Sequence, residues 1–424
     1  MSLSRRQLLI GGAATAGAVG LGLLRPSDQG GPHDRYFQSL QRCLSEQPLA
    51  RPTMVIDRDR LHHNLNLVTR RLGDQYALRL VAKSLPSLSL LDHLMNHAGT
   101  RRLMLFHRPF VSQVAAHRPD ADILLGKPMP VDEARLFYQE WQPAGGFQPE
   151  TQLQWLIDSP QRLLDYQQLA AERDQPLGIN VELDIGLHRG GVADRDRLAA
   201  MLTRIRDDKR LRFRGFMGYE PHIVKVPGDD HALRDEAMAR YREAVHTARA
   251  VFGTLPAGLT FNTGGSSTYT LYPGQDTPAN EIALGSGLVM PTDFDVPTLS
   301  GHRPACVIAT PVLKTMAPAR LPGPGALASL MRLWNPNRQQ AFFIYGGHWK
   351  ARPVSPPGLS PNPVFGRSSN QEMLNGSDAV PIAPGDWVFL RPHQSESVFL
   401  QFGDLALYDP ERQALTDRWP VLRG

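Results

Sequence analysis

The sequence is poor in cysteine, in long apolar runs and in charge of one sign. Two cysteines in the whole chain, Cys43 and Cys306, are too few for a disulfide framework, so we expect two unpaired thiols. The formal charge of +5 includes Arg5, Arg6 and Arg25 near the N-terminus, and without these three the chain carries +2. Such a balance gives no support for nucleic-acid binding. With 42% hydrophobic and 21% charged residues and no low-complexity repeat, the composition is that of a globular protein.

The N-terminal segment through Pro26 is predicted to be a targeting segment and contains no acidic residue. Arg5 and Arg6 precede an apolar, Gly/Ala-rich run from Leu8 to Leu24. That run is short for a bilayer span, which needs about 20 apolar residues. The paired arginine resembles a bacterial twin-arginine export signal, so we expect a periplasmic protein. No small-x-small cleavage site follows Leu24, and both removal of the segment and its retention as a membrane anchor stay open.

From residue 52 onward, short β-rich runs alternate with stretches of helical period. After a lead-in at residues 53–56, eight such runs lie at residues 79–83, 103–106, 122–125, 154–157, 178–184, 213–218, 259–262 and 281–284. Most of them are followed by polar helical segments, so the pattern predicts a (β/α)8 barrel of the TIM type. An open doubly wound sheet is the competing fold, but no GxGxxG motif follows the first strand.

The composition changes near residue 300, where proline and glycine become frequent and the helical period fades. β-type runs follow at residues 307–313, 341–345, 387–390 and 398–402. The proline-rich residues between Lys350 and Gly366 are expected to form an irregular loop. We therefore predict a signal or anchor over residues 1–26, a linker with a short helix over 27–50, the barrel over 51–300 and a smaller C-terminal β domain over 301–424.

The first barrel strand is predicted to end in a lysine, Lys83, within the stretch Arg79–Ser84. In such barrels the reacting groups gather at the carboxyl ends of the strands. A lysine held in a desolvated pocket can form a Schiff base with a carbonyl compound or with pyridoxal phosphate. The plain alternative is a strand-end lysine whose ammonium group lies in water. The residues at the other strand ends decide between the two interpretations.

Two small-residue turns on the same rim are candidates for a phosphate site. Gly264, Gly265 and Ser266 follow the seventh strand, where exposed backbone N–H groups and a hydroxyl group can approach an anion. Gly285 and Ser286 follow the eighth strand. Next to a reactive lysine, these turns would hold the phosphate of a cofactor.

Three further strand-end side chains are candidates for cofactor contact or proton transfer. Arg189 follows the fifth strand, where a guanidinium group can reach a cofactor oxygen or a substrate carboxylate. Tyr219 and His222 follow the sixth strand and are the acid–base candidates, because a histidine titrates near neutral pH. Glu182 and Asp184 are expected to orient their neighbours. An ordinary surface arginine and a structural histidine are the alternatives.

These motifs together resemble the fold-type III pyridoxal-phosphate enzymes, which are the alanine racemase-like barrels, and within them the D-threonine aldolase and D-serine dehydratase branch. The matching motifs are Pro-Thr-x-Val-x-Asp at residues 52–57, Arg-x-x-Ala-Lys at 79–83, Asp-x-Gly-x-x-Arg-x-Gly-Val at 184–192 and Asp-Arg-Trp-Pro at 417–420. The resemblance implies a barrel that binds pyridoxal phosphate, a C-terminal β domain, a small D-amino-acid substrate and a homodimer.

By the same resemblance, Lys83 would carry the cofactor and the two turns would bind its phosphate. Arg189 would lie beside the cofactor ring, with Tyr219 or His222 near its face. The implied reaction is the cleavage or dehydration of a β-hydroxy amino acid. Amino-acid racemisation is one alternative, and cofactor binding without catalysis is another.

The metal site that the resemblance implies is incomplete in this sequence. In the aldolase and dehydratase branch, a His-x-Cys or His-x-Asp pair binds a divalent metal that engages the substrate hydroxyl group. Here His393 keeps the first position and Ser395 replaces the second ligand. A neutral hydroxyl group is a poor ligand for zinc or manganese, and Glu396 could substitute only if the loop were rearranged. If no metal binds, racemisation through Lys83 and an opposing base becomes the leading alternative.

Overall fold

The computed structural model describes residues 25–141, 145–320 and 332–424, which divide into two compact units. One unit consists of residues 54–306 and 393–424, and the other of the described residues within 1–53 and 307–392. The predicted export signal lies outside the described residues, apart from Arg25 and Pro26. Within the described ranges, no helix is both long and apolar enough to cross a membrane. Cys43 and Cys306 are both buried and form no disulfide.

The larger unit contains a closed barrel of eight parallel strands. The lead-in strand is β1 (Thr53–Asp57), and the barrel strands are β2 (Ala77–Val81), β3 (Arg102–Leu105), β4 (Asp122–Leu125), β5 (Leu153–Ile157), β6 (Leu177–Leu183), β7 (Leu211–Gly218), β8 (Thr260–Thr263) and β9 (Glu281–Leu284). β2 pairs with β9, with Leu80 opposite Leu284, so the barrel has no free edge. The predicted barrel fold is therefore confirmed.

Helices alternate with the barrel strands. They span Arg58–Leu72, Leu88–Ala98, Arg108–His117, Val131–Glu140, Pro149–Gln152, Pro160–Arg173, Arg195–Asp207, Asp230–Phe252 and Ser286–Val289. Several begin at a side chain that accepts a hydrogen bond from the first helical turn, including those capped by Asp57, Ser87 and Asp194. These caps fix where each helix leaves the preceding loop.

The barrel interior contains a buried ion-pair network built on Arg79. Its fully buried guanidinium group donates to both carboxylate oxygens of Glu281, at 2.5 and 2.9 Å. It also donates to the Asp122 carboxylate at 3.0 Å and to backbone oxygens of β3 and β4. Lys83 does not continue the strand face that carries Arg79, because β2 already ends at Val81.

The smaller unit is a β domain preceded by a helix, Arg35–Ser45. Its strands are β10 (Cys306–Met316), β11 (Gln340–Tyr345), β12 (Ala351–Ser355), β13 (Ser360–Pro361), β14 (Gln371–Gly376) and β15 (Trp387–Pro392). All pairings among them are antiparallel. The prediction of an irregular loop between Lys350 and Gly366 was wrong, because β12 and β13 form there. Their prolines are tolerated because Pro353 adjoins a register shift and β13 pairs on one side only.

Residues 393–424 pack in the larger unit. A short helix, Glu396–Phe399, and a 3-10 turn, Leu400–Phe402, replace the strand predicted over residues 398–402. Val398 and Phe399 are fully buried, so tertiary packing overrides their preference for strands. The chain ends in β16 (Asp404–Asp409), which runs parallel to β1, and β17 (Ala414–Pro420), which runs antiparallel to β16.

Candidate active site

A pocket opens at the carboxyl ends of the barrel strands, on the rim where the sequence predicts the reactive lysine. The turns after β2, β8 and β9 form one side of it, and single side chains from other loops complete the wall. Its lining includes Lys83, Ser84, Phe106, Arg189, Tyr219, Gly264, Gly265, Ser266, Ser267, Gly285, Ser286, Phe294 and Glu396. The structure thus brings together the predicted lysine, the arginine, the tyrosine and both small-residue turns.

Lys83 lies in a single 3-10 turn, Ala82–Ser84, directly after β2. The backbone N–H of Leu85 closes this turn by donating to the oxygen of Ala82 at 3.0 Å. Lys83 Nζ is 2.8 Å from Glu396 Oε1 and 4.8 Å from the centre of the Phe106 ring. The Lys83 side chain is 39% exposed, so the amine is paired and still accessible from the pocket.

The side chain of Glu220 fixes the turn after β8 through hydrogen bonds. This fully buried carboxylate accepts hydrogen bonds from the Thr263 hydroxyl at 3.0 Å, the Gly264 N–H at 3.2 Å and the Thr268 hydroxyl at 2.9 Å. Burial raises the pKa of Glu220, and the hydrogen bonds oppose that shift. Gly264 has a φ of +76°, which a residue with a side chain rarely adopts. The acceptor and the glycine together determine the shape of the turn.

Hydroxyl groups join the three strand-end turns to one another. Ser266 Oγ accepts hydrogen bonds from the N–H groups of Gly285 at 3.3 Å and Gly287 at 2.9 Å. Ser286 Oγ donates to Ser84 Oγ at 2.9 Å, which connects the turn after β9 to the turn that carries the lysine. The lysine and the two glycine-rich turns therefore form one hydrogen-bonded assembly.

The turns offer donors that suit a phosphate group. Across the part of the chain that the structure describes, no hydrogen bond engages the backbone N–H groups of Gly265, Ser266 and Ser286. At Gly265, a Cβ atom would lie 3.0 Å from the ring of Tyr219, so a residue without a side chain lets the backbone of this turn pack against that ring. Free N–H groups on a glycine-lined turn form a typical anion-binding concavity. The residues present thus fit the phosphate of pyridoxal phosphate, with the Lys83 amine on the same wall.

Tyr219 and Arg189 stack against each other at the pocket wall. The guanidinium carbon of Arg189 lies 5.1 Å from the centre of the Tyr219 ring. Burial raises the pKa of Tyr219 to about 12, with a further contribution from Glu220 and an opposing one from Arg189. The phenol is therefore neutral at physiological pH, so it can donate a hydrogen bond but is a poor proton acceptor.

His222 does not line the pocket. Its ring lies beside Gly186, where a Cβ atom would come within 3.2 Å of His222 Nε2. Burial lowers the pKa of His222, and the neighbouring His188 and Arg240 lower it further. His188 in turn pairs with the carboxylate of Asp184 at 2.9 Å. Of the two predicted acid–base residues, the structure brings only the tyrosine to the lysine.

Glu182, at the end of β6, is a second carboxylate in an unusual environment. Burial raises the pKa of Glu182 to about 7, and Asp158 adds to the shift. The cations Arg189 and Arg162 act in the opposite direction. Glu182 therefore changes its charge near neutral pH, close to the arginine of the pocket wall.

The residues around His393 do not fit a divalent metal. His393 Nδ1 lies 2.5 Å from the Thr292 hydroxyl, and the Ser395 side chain is buried. Glu396 pairs with the pocket lysine instead of turning towards His393. No group of three or more His, Cys, Asp or Glu side chains among the described residues is arranged to hold a metal ion.

Two carboxylates of the site were not predicted in these roles. Glu220 lies between Tyr219 and Pro221 at a strand end, and a charged residue at the end of an apolar strand was the available signal. Glu396 was considered only as a replacement metal ligand. Its contact with Lys83 joins the first barrel strand to the C-terminal segment, and no local pattern reveals a pairing so distant in sequence.

Comparisons with known proteins agree with this geometry. Residues 56–293 match the family described as alanine racemase, N-terminal domain. Over 140 residues the chain is 27% identical to 3-hydroxy-D-aspartate aldolase of Paracoccus denitrificans (strain Pd 1222), a match that spans 32% of this chain and 35% of that relative.

Two solved structures share the fold over most of both chains. One is D-threo-3-hydroxyaspartate dehydratase from Delftia sp. HT23, with a TM-score of 0.68, 16% identity, and coverage of 89% of this chain and 98% of that one. The other is D-threonine aldolase from Filomicrobium marinum, with a TM-score of 0.68, 15% identity and the same coverage. At such identities the likeness concerns the fold alone. The family match over more than half of the sequence goes further, and the chain belongs to the alanine racemase N-terminal domain family of fold-type III pyridoxal-phosphate enzymes.

Proposed function

We propose that this chain is a pyridoxal-phosphate-dependent lyase that cleaves or dehydrates a small β-hydroxy D-amino acid. The observation that carries the proposal is the placement of the Lys83 amine in one pocket with a glycine-lined turn whose N–H groups are free. The names of the relatives, two of them aldolases and one a dehydratase, support this class of reaction. Pyridoxal phosphate, when bound, serves as an electron sink for bond cleavage at the substrate α-carbon.

Different residues of the pocket would bind the cofactor, bind the substrate and transfer protons. Lys83 would hold the cofactor covalently, and Gly264, Gly265, Ser266, Gly285 and Ser286 would hold its phosphate. Arg189 would pair with the carboxylate of the amino acid, because a guanidinium group binds a carboxylate through two parallel hydrogen bonds. Tyr219 would donate a hydrogen bond and exclude water from one side. Lys83 Nζ is the site where a proton is held or moved, with Glu396 beside it.

The first test is the visible absorbance of the purified protein and of two lysine variants. Lys83→Ala should lose the absorbance of the covalently held cofactor, and the wild type should have it. Lys209→Ala, which changes an exposed lysine outside the pocket, is the matched control and should behave as the wild type. A wild type that stays colourless after incubation with pyridoxal phosphate would refute the proposal.

A panel of D-amino acids then distinguishes the lyase from the racemase that is the alternative. A lyase converts D-threonine or D-serine into a carbonyl product, whereas a racemase inverts the α-carbon of the same amino acid and releases no carbonyl product. Because the residues around His393 do not fit a metal, we expect activity to survive a chelator. Absorbance changes with every amino acid but no product and no deuterium exchange would favour a protein that binds the cofactor without catalysis.

We also propose that the protein is exported to the periplasm and forms a homodimer. The paired Arg5 and Arg6 before the apolar run support export by the twin-arginine route. Replacing both arginines with lysine should retain the protein in the cytoplasm, which cell fractionation would detect. The resemblance to fold-type III enzymes supports the dimer, and light scattering would give its mass.

A further inference from the structure

Among the described residues that line the pocket, Glu396 is the one carboxylate, and it lies next to the amine of Lys83. Its Oε1 atom is 2.8 Å from Lys83 Nζ and accepts a longer hydrogen bond from the Ser84 hydroxyl at 3.4 Å. Both contacts use the same oxygen, so Oε2 is available to a ligand. The Glu396 side chain is 39% exposed, which leaves its charge only partly screened by solvent.

The cations of the pocket are already committed. Lys83 is paired with Glu396 and is the amine that the cofactor would use. Arg189 remains for the carboxylate that every amino acid carries, and it already stacks on the Tyr219 ring. No other Lys, Arg or His lines the described pocket. A second carboxylate on the substrate would therefore meet Glu396, while each pocket cation already has a carboxylate partner: Lys83 has Glu396, and Arg189 has the α-carboxylate of the substrate.

Resting on the proposed function, we infer that Glu396 is a specificity-determining residue that excludes amino acids with a side-chain carboxylate. The substrate class is then a monocarboxylic D-amino acid with a neutral β-hydroxyl side chain, for which Oε2 can accept the hydroxyl proton in a hydrogen bond. Substrates of the 3-hydroxyaspartate type, which appear in the names of two relatives, are disfavoured. Discrimination arises here from repulsion of the wrong ligand as well as from contacts with the right one.

The size of the effect follows from the charges. Two carboxylates about 6 Å apart in a half-exposed pocket repel each other enough to change affinity about tenfold at an effective dielectric constant of about 40. The Lys83 ammonium beside Glu396 weakens the repulsion, so tenfold is the upper limit. The repulsion is screened by salt, so the preference should shrink at high ionic strength.

The test uses equilibrium binding to the cofactor-loaded protein. D-asparagine and D-aspartate have nearly the same shape and differ by one charge, and neither carries a β-hydroxyl group. Their dissociation constants are read from the change in cofactor absorbance for the wild type, Glu396→Gln and Glu172→Gln. Glu172 is a suitable control because it is also half-exposed, at 41%, and ion-paired, with Arg135 at 3.1 Å, but lies outside the pocket.

We expect the wild type and Glu172→Gln to bind D-asparagine several-fold, up to about tenfold, more tightly than D-aspartate, and Glu396→Gln to lose this preference. Equal affinities in the wild type, or a preference that survives in Glu396→Gln, would overturn the inference while leaving the cofactor and the lyase proposal intact. If neither ligand changes the absorbance, the inference fails, whereas the proposed function fails only if D-threonine and D-serine leave the absorbance unchanged as well.

Discussion

Removing Glu220 should both destabilise the protein and weaken its hold on phosphate. The carboxylate is fully buried and accepts three hydrogen bonds from Thr263, Gly264 and Thr268. In Glu220→Ala these donors lose their acceptor, and each buried unpaired donor costs about 1–3 kcal/mol. Partial rescue by neighbouring groups brings the expected loss of unfolding free energy to about 3–5 kcal/mol. In a chain of this size, that lowers the melting temperature by several degrees.

The same substitution should loosen the turn that offers its N–H groups to phosphate. We expect the dissociation constant of pyridoxal phosphate to rise about tenfold, measured by fluorescence quenching so that covalent capture by Lys83 is not required. Thr268→Val is the graded control, because it removes one of the three donors and should cost about 1 kcal/mol. Glu220→Ala combined with Thr268→Val should be less destabilising than the sum of the two, since the residues share one contact.

Two results would refute this reasoning. If Glu220→Ala melts at the wild-type temperature, the carboxylate does not hold the turn. If it melts lower but binds pyridoxal phosphate as tightly as the wild type, the turn is structural and the phosphate is held elsewhere.

Three further predictions concern other charged groups. Burial raises the pKa of Glu182 to about 7, so its contribution to stability is present below the ordinary value near 4.5 and is lost as the pH rises through 7. As the pH rises from 5 to 8, the free energy of unfolding in urea should fall by about 1–2 kcal/mol more in the wild type than in Glu182→Gln. Equal pH dependence of this free energy in the two proteins would contradict the prediction. Burial lowers the pKa of His62, whose ring nitrogen lies 2.6 Å from that of His93, to about 4. The contribution of His62 to stability is therefore present above its ordinary pKa of 6.5 and is lost as the pH falls towards 4. The drop in melting temperature between pH 7 and pH 4 should therefore be smaller in His62→Asn than in the wild type. Arg79→Met removes the fully buried partner of Glu281, which keeps only Arg102 and Asn262, and should cost about 3–5 kcal/mol of unfolding free energy. An unchanged melting temperature would show that the Arg79–Glu281 ion pair is dispensable.

The barrel could be predicted from the sequence because each strand is an apolar run that ends in polar or glycine residues. All eight predicted runs overlap strands β2 to β9. The helix Arg108–His117 was not predicted, and neither were β16 and β17. Residues 398–402 were predicted to form a strand because their side chains favour strands. The structure has helical turns there, because this conformation buries Val398 and Phe399 completely.

The candidate site was predictable where a residue follows its strand directly and unpredictable where a contact is distant in sequence. Lys83, Arg189, Tyr219 and the glycine-rich turns all come from strand ends, which a closed parallel barrel places on one rim. His222 follows the same strand as the tyrosine, but the loop carries it away from the pocket wall. Glu396 reaches the lysine from the first position of the helix Glu396–Phe399, whose last two residues were predicted to lie in a strand.

The hydrogen bonds among the turns after β8, β9 and β2 divide the rim of the barrel into two arcs. The first arc consists of these three linked turns, and the second consists of the loops after β3 to β7. The two arcs differ in how freely their sequences can change. These three strands are neighbours in the closed barrel, and Ser266, Ser286 and Ser84 join their turns. The spacing between the amine and the phosphate turn is therefore set by strand geometry, not by loop length. The loops after β4 and β5 contribute none of the hydrogen bonds that join these three turns. A designer seeking a new substrate for this scaffold should diversify the second arc and leave the first intact.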